Sequence, residues 1–118
     1  MKTVFIVDDN DANLLLGKSA LEGVYETYAM ASAQRMFKLL EKIEADLILL
    51  DVDMPDMDGF QAMEQLKAHE KYKSIPVIFL TGKDDPESEK RGYELGAADF
   101  IPKPFTAPIL IERIERIW

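Results

Sequence analysis

Short apolar runs alternate with helical patterns along the whole chain, and this alternation limits the fold more than any other feature. Three runs are apolar enough for strands buried on both faces, one is half polar and predicts an edge strand, and one is short. In chain order the predicted strands are TVFIV (3–7), VYETYAMA (24–31, the edge strand), DLILL (46–50), IPVIFL (75–80) and the short ADFI (98–101). Five successive strand–helix units predict an α/β protein, with a parallel sheet covered by helices on both faces.

Helix signals occupy the segments between these strands. Apolar residues recur at helical spacing in residues 10–22, where either Asn10 or Asp11 is available as the N-cap. Ser32 is expected to begin a second helix, with Met36, Leu40 and Ile43 facing inward. The other predicted helices are residues 59–71, residues 84–95 and the closing segment TAPILIERIERIW, which Thr106 is expected to cap and whose Leu110, Ile114 and Ile117 are expected to face inward.

Length and composition indicate a single domain covering residues 1–118. The chain has no cysteine, which excludes a disulfide scaffold and a thiolate metal site. Fourteen basic residues against 22 acidic ones give a net charge of −8, which argues against direct binding of nucleic acid. No apolar run approaches the roughly 20 residues that span a bilayer. We therefore expect a soluble cytoplasmic domain with no membrane insertion.

Polar side chains follow the predicted strands at the points where ligands bind to parallel sheets. Asp8 and Asp9 come after the first strand, Asp51 after the third, Thr81 after the fourth and Lys103 just beyond the fifth. Because the carboxyl ends of parallel strands lie at one edge, three carboxylates, a hydroxyl and an ammonium group are expected to converge there.

Three neighbouring carboxylates repel each other by several kcal/mol per pair at an effective dielectric constant of about 20. A divalent cation or protonation would relieve this repulsion, and a set of oxygen ligands without His or Cys suits Mg²⁺, with Mn²⁺ as a second candidate. These groups are also the ones needed to accept a phosphoryl group. Asp51 would attack phosphorus, Lys103 and the metal would neutralise the phosphoryl oxygens, and Thr81 would hold one of them.

Four motifs carry a resemblance to a known family: FIVDDN, LILLDVDMPDMDG, FLTG and GAADFIPKPF. In this order and at this spacing, the chain resembles the receiver domain of bacterial two-component response regulators from end to end. The resemblance implies a flavodoxin-like (βα)5 fold, a doubly wound five-stranded parallel sheet with strand order 2-1-3-4-5. It also implies a phosphoprotein of a phosphorelay and not an enzyme, since such a domain assists only its own phosphorylation and dephosphorylation.

The resemblance assigns roles to the residues at the strand ends. Asp51 is expected to take a phosphoryl group from a phosphohistidine of a sensor histidine kinase or a phosphotransfer protein, or from a small acyl phosphate. Asp9 and Asp51 are expected to bind Mg²⁺ directly together with the backbone carbonyl of Asp53, while Asp8 acts largely through water. Thr81 and Lys103 are expected to contact the phosphoryl group.

The family's switch corresponds here to Thr81 and Phe100, although Phe100 alone would also suit a core position. The resemblance implies a downstream protein target on the face formed by the fourth helix, the fifth strand and the last helix, and a cis Lys103–Pro104 bond. A phosphorylation-dependent homodimer through the last two helices is a further hypothesis. Ile111 and Trp118 suit either a partner surface or the rim of the core.

The remaining aspartates of the LILLDVDMPDMDG motif receive different interpretations. The side chains of Asp53 and Lys83 occupy positions that modulate dephosphorylation in this family, and we expect a distinct phosphoryl lifetime without predicting its direction. Asp56 and Asp58 are expected to fix the loop and to begin the next helix.

Three other functions compete with this interpretation. A haloacid-dehalogenase-like phosphatase also ends a strand in a D-x-D pattern, as in Asp51-Val52-Asp53, but there the nucleophile comes before the acidic pair. A calcium loop fails because Asp56 stands where that loop needs glycine. A pseudo-receiver acting only as a binding module typically lacks the acceptor, the acidic pair or the lysine, and all are present here. The sequence is compatible with a stand-alone protein and with a domain of a larger one.

Overall fold

Five parallel strands form one sheet in the computed structural model, which describes residues 1–82 and 86–118. The strand order is β2-β1-β3-β4-β5, which confirms the predicted order and the edge position of the half-polar strand. The strands are β1 (Thr3–Val7), β2 (Glu26–Met30), β3 (Leu47–Asp51), β4 (Val77–Thr81) and β5 (Asp99–Pro102).

Five helices connect and follow these strands: α1 (Asp11–Leu21), α2 (Ala33–Leu40), α3 (Gly59–Ala68), α4 (Pro86–Glu94) and α5 (Ala107–Glu115). The caps agree with the sequence signals. Asn10 caps α1 and thereby decides between the two candidates, while Ser32 and Thr106 cap α2 and α5 as predicted. Each cap side chain accepts a hydrogen bond from an otherwise unpaired N–H group of the first helical turn.

The sheet separates two apolar cores. Alternate residues of each strand point to opposite faces, so Phe5 and Val7 belong to one core and Val4 and Ile6 to the other. The first core also contains residues of α2 and α3, and the second contains residues of α1 and α5. Gly92 of α4 is buried on the first side. Helices on both faces make the sheet doubly wound, as predicted.

The helices are shorter than the apolar patterns that predicted them. Ile43 and Ile117, which were expected to face inward on α2 and α5, lie beyond the helix ends. Both are partly buried and pack at the edge of a core. Turns continue the chain there: the N–H of Ile43 donates to the carbonyl oxygen of Leu39 (2.9 Å), and the N–H of Ile117 donates to that of Ile114 (3.0 Å).

Among the described ranges, no helix combines the length and the hydropathy needed to cross a membrane.

The loop after β3 fixes the end of that strand. The N–H of Gly59 donates a hydrogen bond to the carbonyl oxygen of Val52 (2.9 Å). Asp58 caps α3 in a reciprocal capping box with Gln61, as its predicted role requires. Asp56 has φ 68°, in the left-handed region that aspartate tolerates better than most residues. A Cβ at Gly59 would lie 2.9 Å from Val52 Cα and closer still to the carbonyl oxygen of Asp51.

We expect Gly59→Ala to lower the free energy of unfolding by about 2 kcal/mol or more, because the added methyl meets backbone and not a flexible side chain. Urea denaturation of the purified variant measures this loss. Gly82→Ala is the matched control, since no described atom lies within 4 Å of a Cβ there. Equal stability of the two variants would contradict the close packing at Gly59.

Candidate functional site

Three carboxylates converge at the carboxyl ends of β1 and β3. These strands are neighbours, with Val7 paired to Leu50, so the chain delivers the following Asp8 and Asp51 to the same edge. Asp8, Asp9 and Asp51 each offer an oxygen, and these oxygens lie within 4.8 Å of one another. The convergence that the strand-end positions predicted is therefore present.

The three carboxylates differ in their surroundings. Asp8 is fully buried and Asp51 is 1% exposed, whereas Asp9 is exposed. Asp51 Oδ1 accepts hydrogen bonds from Lys103 Nζ (2.8 Å) and from the N–H of Asp53 (3.3 Å). Asp51 Oδ2 is buried and has no hydrogen-bond donor among the described residues.

This lone carboxylate oxygen fits a cation site. A buried polar atom without a partner is costly, and a bound divalent cation would remove that cost. The available ligands are all oxygens, which suits Mg²⁺ or Mn²⁺. The Asp8, Asp9 and Asp51 cluster thus has the composition and the spacing of an acidic metal pocket.

Lys103 approaches the cluster from the loop after β5. Its N–H donates to the carbonyl oxygen of Thr81 (2.7 Å), and its bond to Pro104 is cis, as predicted. The ammonium group lies 2.8 Å from Asp51 Oδ1 and 3.5 Å from Asp8 Oδ2. One cation therefore faces two buried carboxylates.

Burial dominates the electrostatics of Asp51. Burial raises the pKa of Asp51, and the negative charge of Asp8 raises it further. The hydrogen bond from Lys103 lowers this pKa, and the resulting value is about 7. For Lys103, burial disfavours the charge, but the hydrogen bond and the attraction of Asp51 and Asp8 outweigh it and raise the pKa. Lys103 is therefore an ammonium group at neutral pH, whereas Asp51 without a cation is harder to ionise than an exposed aspartate.

Thr81 ends β4 and is nearly buried, at 5% exposure. The β3–β4 register pairs Asp51 with Leu80, so Thr81 lies one residue beyond this pair on the neighbouring strand. Asp53 is exposed beside the acidic cluster, and its N–H group donates a hydrogen bond to Asp51 Oδ1 (3.3 Å). The metal role of its carbonyl stays a prediction. Lys83, the other residue expected to tune dephosphorylation, lies outside the described residues.

The Phe100 ring lies inside the protein and not on its surface. Phe100 is 6% exposed, and its ring centroid lies 5.3 Å from that of Phe79 and 5.1 Å from that of Tyr93. The ring rests directly on Gly92 of α4, where it would clash with any Cβ. The absence of a side chain at Gly92 therefore makes room for the ring.

A polar network ties the backbone of Phe100 to α5. Arg113 Nη1 lies 3.2 Å from each carboxylate oxygen of Asp99 and donates to the carbonyl oxygen of Phe100 (2.8 Å). Tyr93 Oη lies 3.5 Å from Asp99 Oδ1, at the limit of a hydrogen bond. No sequence motif indicated the roles of Gly92, Asp99 or Arg113. Glycine within a charged helical segment was the one available signal for Gly92.

Asn13 is another residue whose role the sequence patterns did not indicate. Its Nδ2 donates to Asp8 Oδ2 (3.2 Å), and the N–H of Asn10 donates to Asp8 Oδ1 (2.9 Å). The first turn of α1 thus contributes donors to the acidic cluster. A second asparagine three residues after the cap is visible in the sequence, but its partner is not.

Comparison with known proteins gives a consistent result. The family model described as "Response regulator receiver domain" matches residues 4–115. The polar-differentiation response regulator DivK of Brucella ovis is 34% identical over 115 residues, which are 97% of this chain and 94% of that protein. A probable cyclic di-GMP phosphodiesterase of Vibrio cholerae is 40% identical over 113 residues, 96% of this chain but 26% of the relative.

The solved structures agree. The chemotaxis protein CheY4 of Vibrio cholerae superposes with a TM-score of 0.95 at 28% identity, covering 100% of this chain and 99% of that one. The chain spans about a quarter of the length of the phosphodiesterase relative and nearly all of DivK. With the predicted sheet order and the acidic pocket, the family match gives one conclusion: the chain belongs to the response regulator receiver domains of two-component signalling.

Proposed function

We propose that Asp51 accepts a phosphoryl group in a Mg²⁺-dependent reaction and that its phosphorylation switches a protein-binding face. The observation that carries the proposal is the environment of Asp51: a buried carboxylate with one oxygen held by Lys103 and the other without a donor among the described residues. The first oxygen is oriented and the second is available to the cation or to phosphorus.

The donor in this proposal is a phosphohistidine on a sensor histidine kinase or phosphotransfer protein, or a small acyl phosphate. An oxygen of ionised Asp51 forms the new bond to phosphorus while the bond from phosphorus to the donor's imidazole nitrogen breaks and that nitrogen keeps the electron pair. Lys103 lies close enough to follow the negative charge from the carboxylate to the phosphoryl oxygens. The hydroxyl group of Thr81, at the end of the adjacent strand, donates a hydrogen bond to one of these oxygens.

Asp8, Asp9 and Asp51, together with the backbone carbonyl of Asp53, would hold the metal ion. Bound Mg²⁺ supplies positive charge that favours the ionised form of Asp51 and neutralises phosphoryl oxygens. The exposed Asp9 leaves this side of the cluster open to solvent, which suits an ion that keeps several waters. Mn²⁺ meets the same ligand requirements.

In this proposal the domain is not a turnover enzyme, and residues 1–118 act as one receiver unit in the cytoplasm. The phosphodiesterase activity named for the Vibrio relative is not carried over, because this chain covers only 26% of that protein. The phosphatase alternative gains no support from the geometry. A pseudo-receiver is disfavoured because the acceptor, the acidic pair and the lysine all lie at one site.

The switch links the pocket to the face formed by α4, β5 and α5. Phosphorylation changes the local charge by about −1 and adds acceptor oxygens, which is enough to bias an existing two-state element. The proposed element is Thr81 with Phe100, whose ring has a seat on Gly92. A shift of Thr81 toward the phosphoryl group would favour the position of the Phe100 ring against Gly92. The downstream protein would bind to the resulting surface of α4, β5 and α5. Alternatively, a second copy of the chain would bind this face and form a homodimer through α4 and α5.

Incubation with acetyl phosphate and Mg²⁺ is expected to add one phosphoryl group to the wild-type protein and none to Asp51→Asn, because an amide oxygen is a poor nucleophile. Intact-protein mass spectrometry at neutral pH measures the adduct. Asp56→Asn is the matched control, since it removes a nearby exposed carboxylate and is expected to retain labelling. Labelling of Asp51→Asn, or steady turnover of p-nitrophenyl phosphate by the wild type, would contradict the proposal.

Ionisation of Asp51 is expected to make the metal-free protein less stable as pH rises. Its folded pKa of about 7 lies above the unfolded value near 3.9, so the folded state binds more protons between about pH 4 and 7. The contribution of protonated Asp51 to the free energy of unfolding is complete below pH 4 and is lost as the pH rises through 7. Asp51→Asn removes this dependence and should be more stable than the wild type at pH 8 by up to about 4 kcal/mol, because the shift is about three pKa units at roughly 1.4 kcal/mol each.

Urea denaturation in EDTA across this pH range measures the difference, which should shrink toward zero near pH 4. A stability difference that stays constant from pH 4 to pH 8 would show that Asp51 has an ordinary pKa.

Beryllofluoride with Mg²⁺, which mimics the acyl phosphate, is expected to shift NMR resonances across α4, β5 and α5 in the wild type. Gly92→Ala places a methyl group in the ring seat, so the shifts on this face should be lost while those around Asp51 remain. Lys90→Ala, an exposed change on the same helix, should respond as the wild type does. Wild-type shifts confined to the pocket would contradict the switch.

A further inference from the structure

The first turn of α1 holds both oxygens of the Asp8 carboxylate. Asp8 Oδ1 accepts from the backbone N–H of Asn10 (2.9 Å), and Asp8 Oδ2 accepts from the side-chain amide of Asn13 (3.2 Å). Asp8 is fully buried, so these donors replace the water that its carboxylate gives up on folding. The orientation of this carboxylate therefore depends on α1.

Asn13 shares one oxygen of Asp8 with Lys103. The ammonium nitrogen of Lys103 lies 3.5 Å from Asp8 Oδ2, against 2.8 Å from Asp51 Oδ1. The Asn13 amide thus occupies the oxygen toward which the ammonium group would otherwise be drawn. Without Asn13, that oxygen would keep Lys103 as its remaining described donor, and the two charges would approach each other.

An amide suits this position because it donates a hydrogen bond without carrying charge. A cationic donor in its place would compete with a divalent ion for the acidic cluster, whereas a neutral amide leaves the negative potential intact. The backbone of Asn13 is fixed as well, because its N–H donates to Asn10 Oδ1 (3.0 Å) in the cap of α1. The backbone of Asn13 therefore holds its side-chain amide beside Asp8.

We propose that Asn13 is a positioning residue of the acidic site, which orients Asp8 toward the divalent cation and keeps Lys103 on Asp51. The inference rests on the proposed function for the cation itself. Groups that orient metal ligands typically change metal affinity by about tenfold or more when they are removed. We expect Asn13→Ala and Asn13→Leu, which both lack the donor, to bind Mg²⁺ about tenfold more weakly.

Mg²⁺ titration of ¹⁵N-labelled protein, followed through the backbone amides of Asp9 and Asp51, measures this affinity without any phosphoryl transfer. Asn13→Gln retains an amide donor and is expected to recover most of the affinity. Ser32→Ala is the control for a general loss of stability, because the hydroxyl that it removes caps α2 through the N–H of Arg35. It should bind Mg²⁺ as the wild type does.

The outcomes separate this inference from the function on which it rests. Wild-type affinity in both Asn13→Ala and Asn13→Leu would overturn the inference, and so would an equal loss in Ser32→Ala. A wild-type protein that binds Mg²⁺ but takes no phosphoryl group from acetyl phosphate would overturn the proposed function alone. A wild-type protein that binds no Mg²⁺ would overturn both.

Discussion

The ion pair between Asp51 and Lys103 is the interaction on which the rest of the site depends. A carboxylate that is 1% exposed cannot stay ionised on its own, and the ammonium group 2.8 Å away opposes the cost of its burial. The pair joins the ends of β3 and β5, which are not neighbours in the sheet. The loop after β5 must therefore fold back over β4, where the N–H of Lys103 bonds to Thr81. Lys103 thus connects the carboxyl ends of β3, β4 and β5.

Much of this arrangement could be predicted from the sequence, for two different reasons. Apolar runs predicted the strands, and the rule that ligands bind at strand ends was enough to place Asp8, Asp51 and Lys103 at one edge of the sheet. The strand order came from the resemblance, because periodicity does not say which strands are neighbours. Element ends were less accurate, since the apolar period at Ile43 and Ile117 continues past the helices.

The residues that escaped prediction share a physical property: their roles depend on partners distant in sequence or on a missing side chain. Arg113 binds Asp99 and the backbone of Phe100, and no local pattern indicates this pairing. Gly92 matters because of an atom that it lacks. Among relatives, the same domain accounts for nearly all of DivK and about a quarter of a phosphodiesterase. The domain therefore defines the chemical site, whereas its signalling partners depend on the protein in which the domain occurs.

The hydrogen bond from Arg113 to the carbonyl oxygen of Phe100 limits which atoms have to move in the proposed switch. It anchors the main chain of the residue whose ring occupies the seat on Gly92, so the ring can leave or enter that seat by torsion about its own χ1 bond. The proposed switch would therefore require rotation of one ring, with no displacement of the β5 backbone to which Arg113 is bonded.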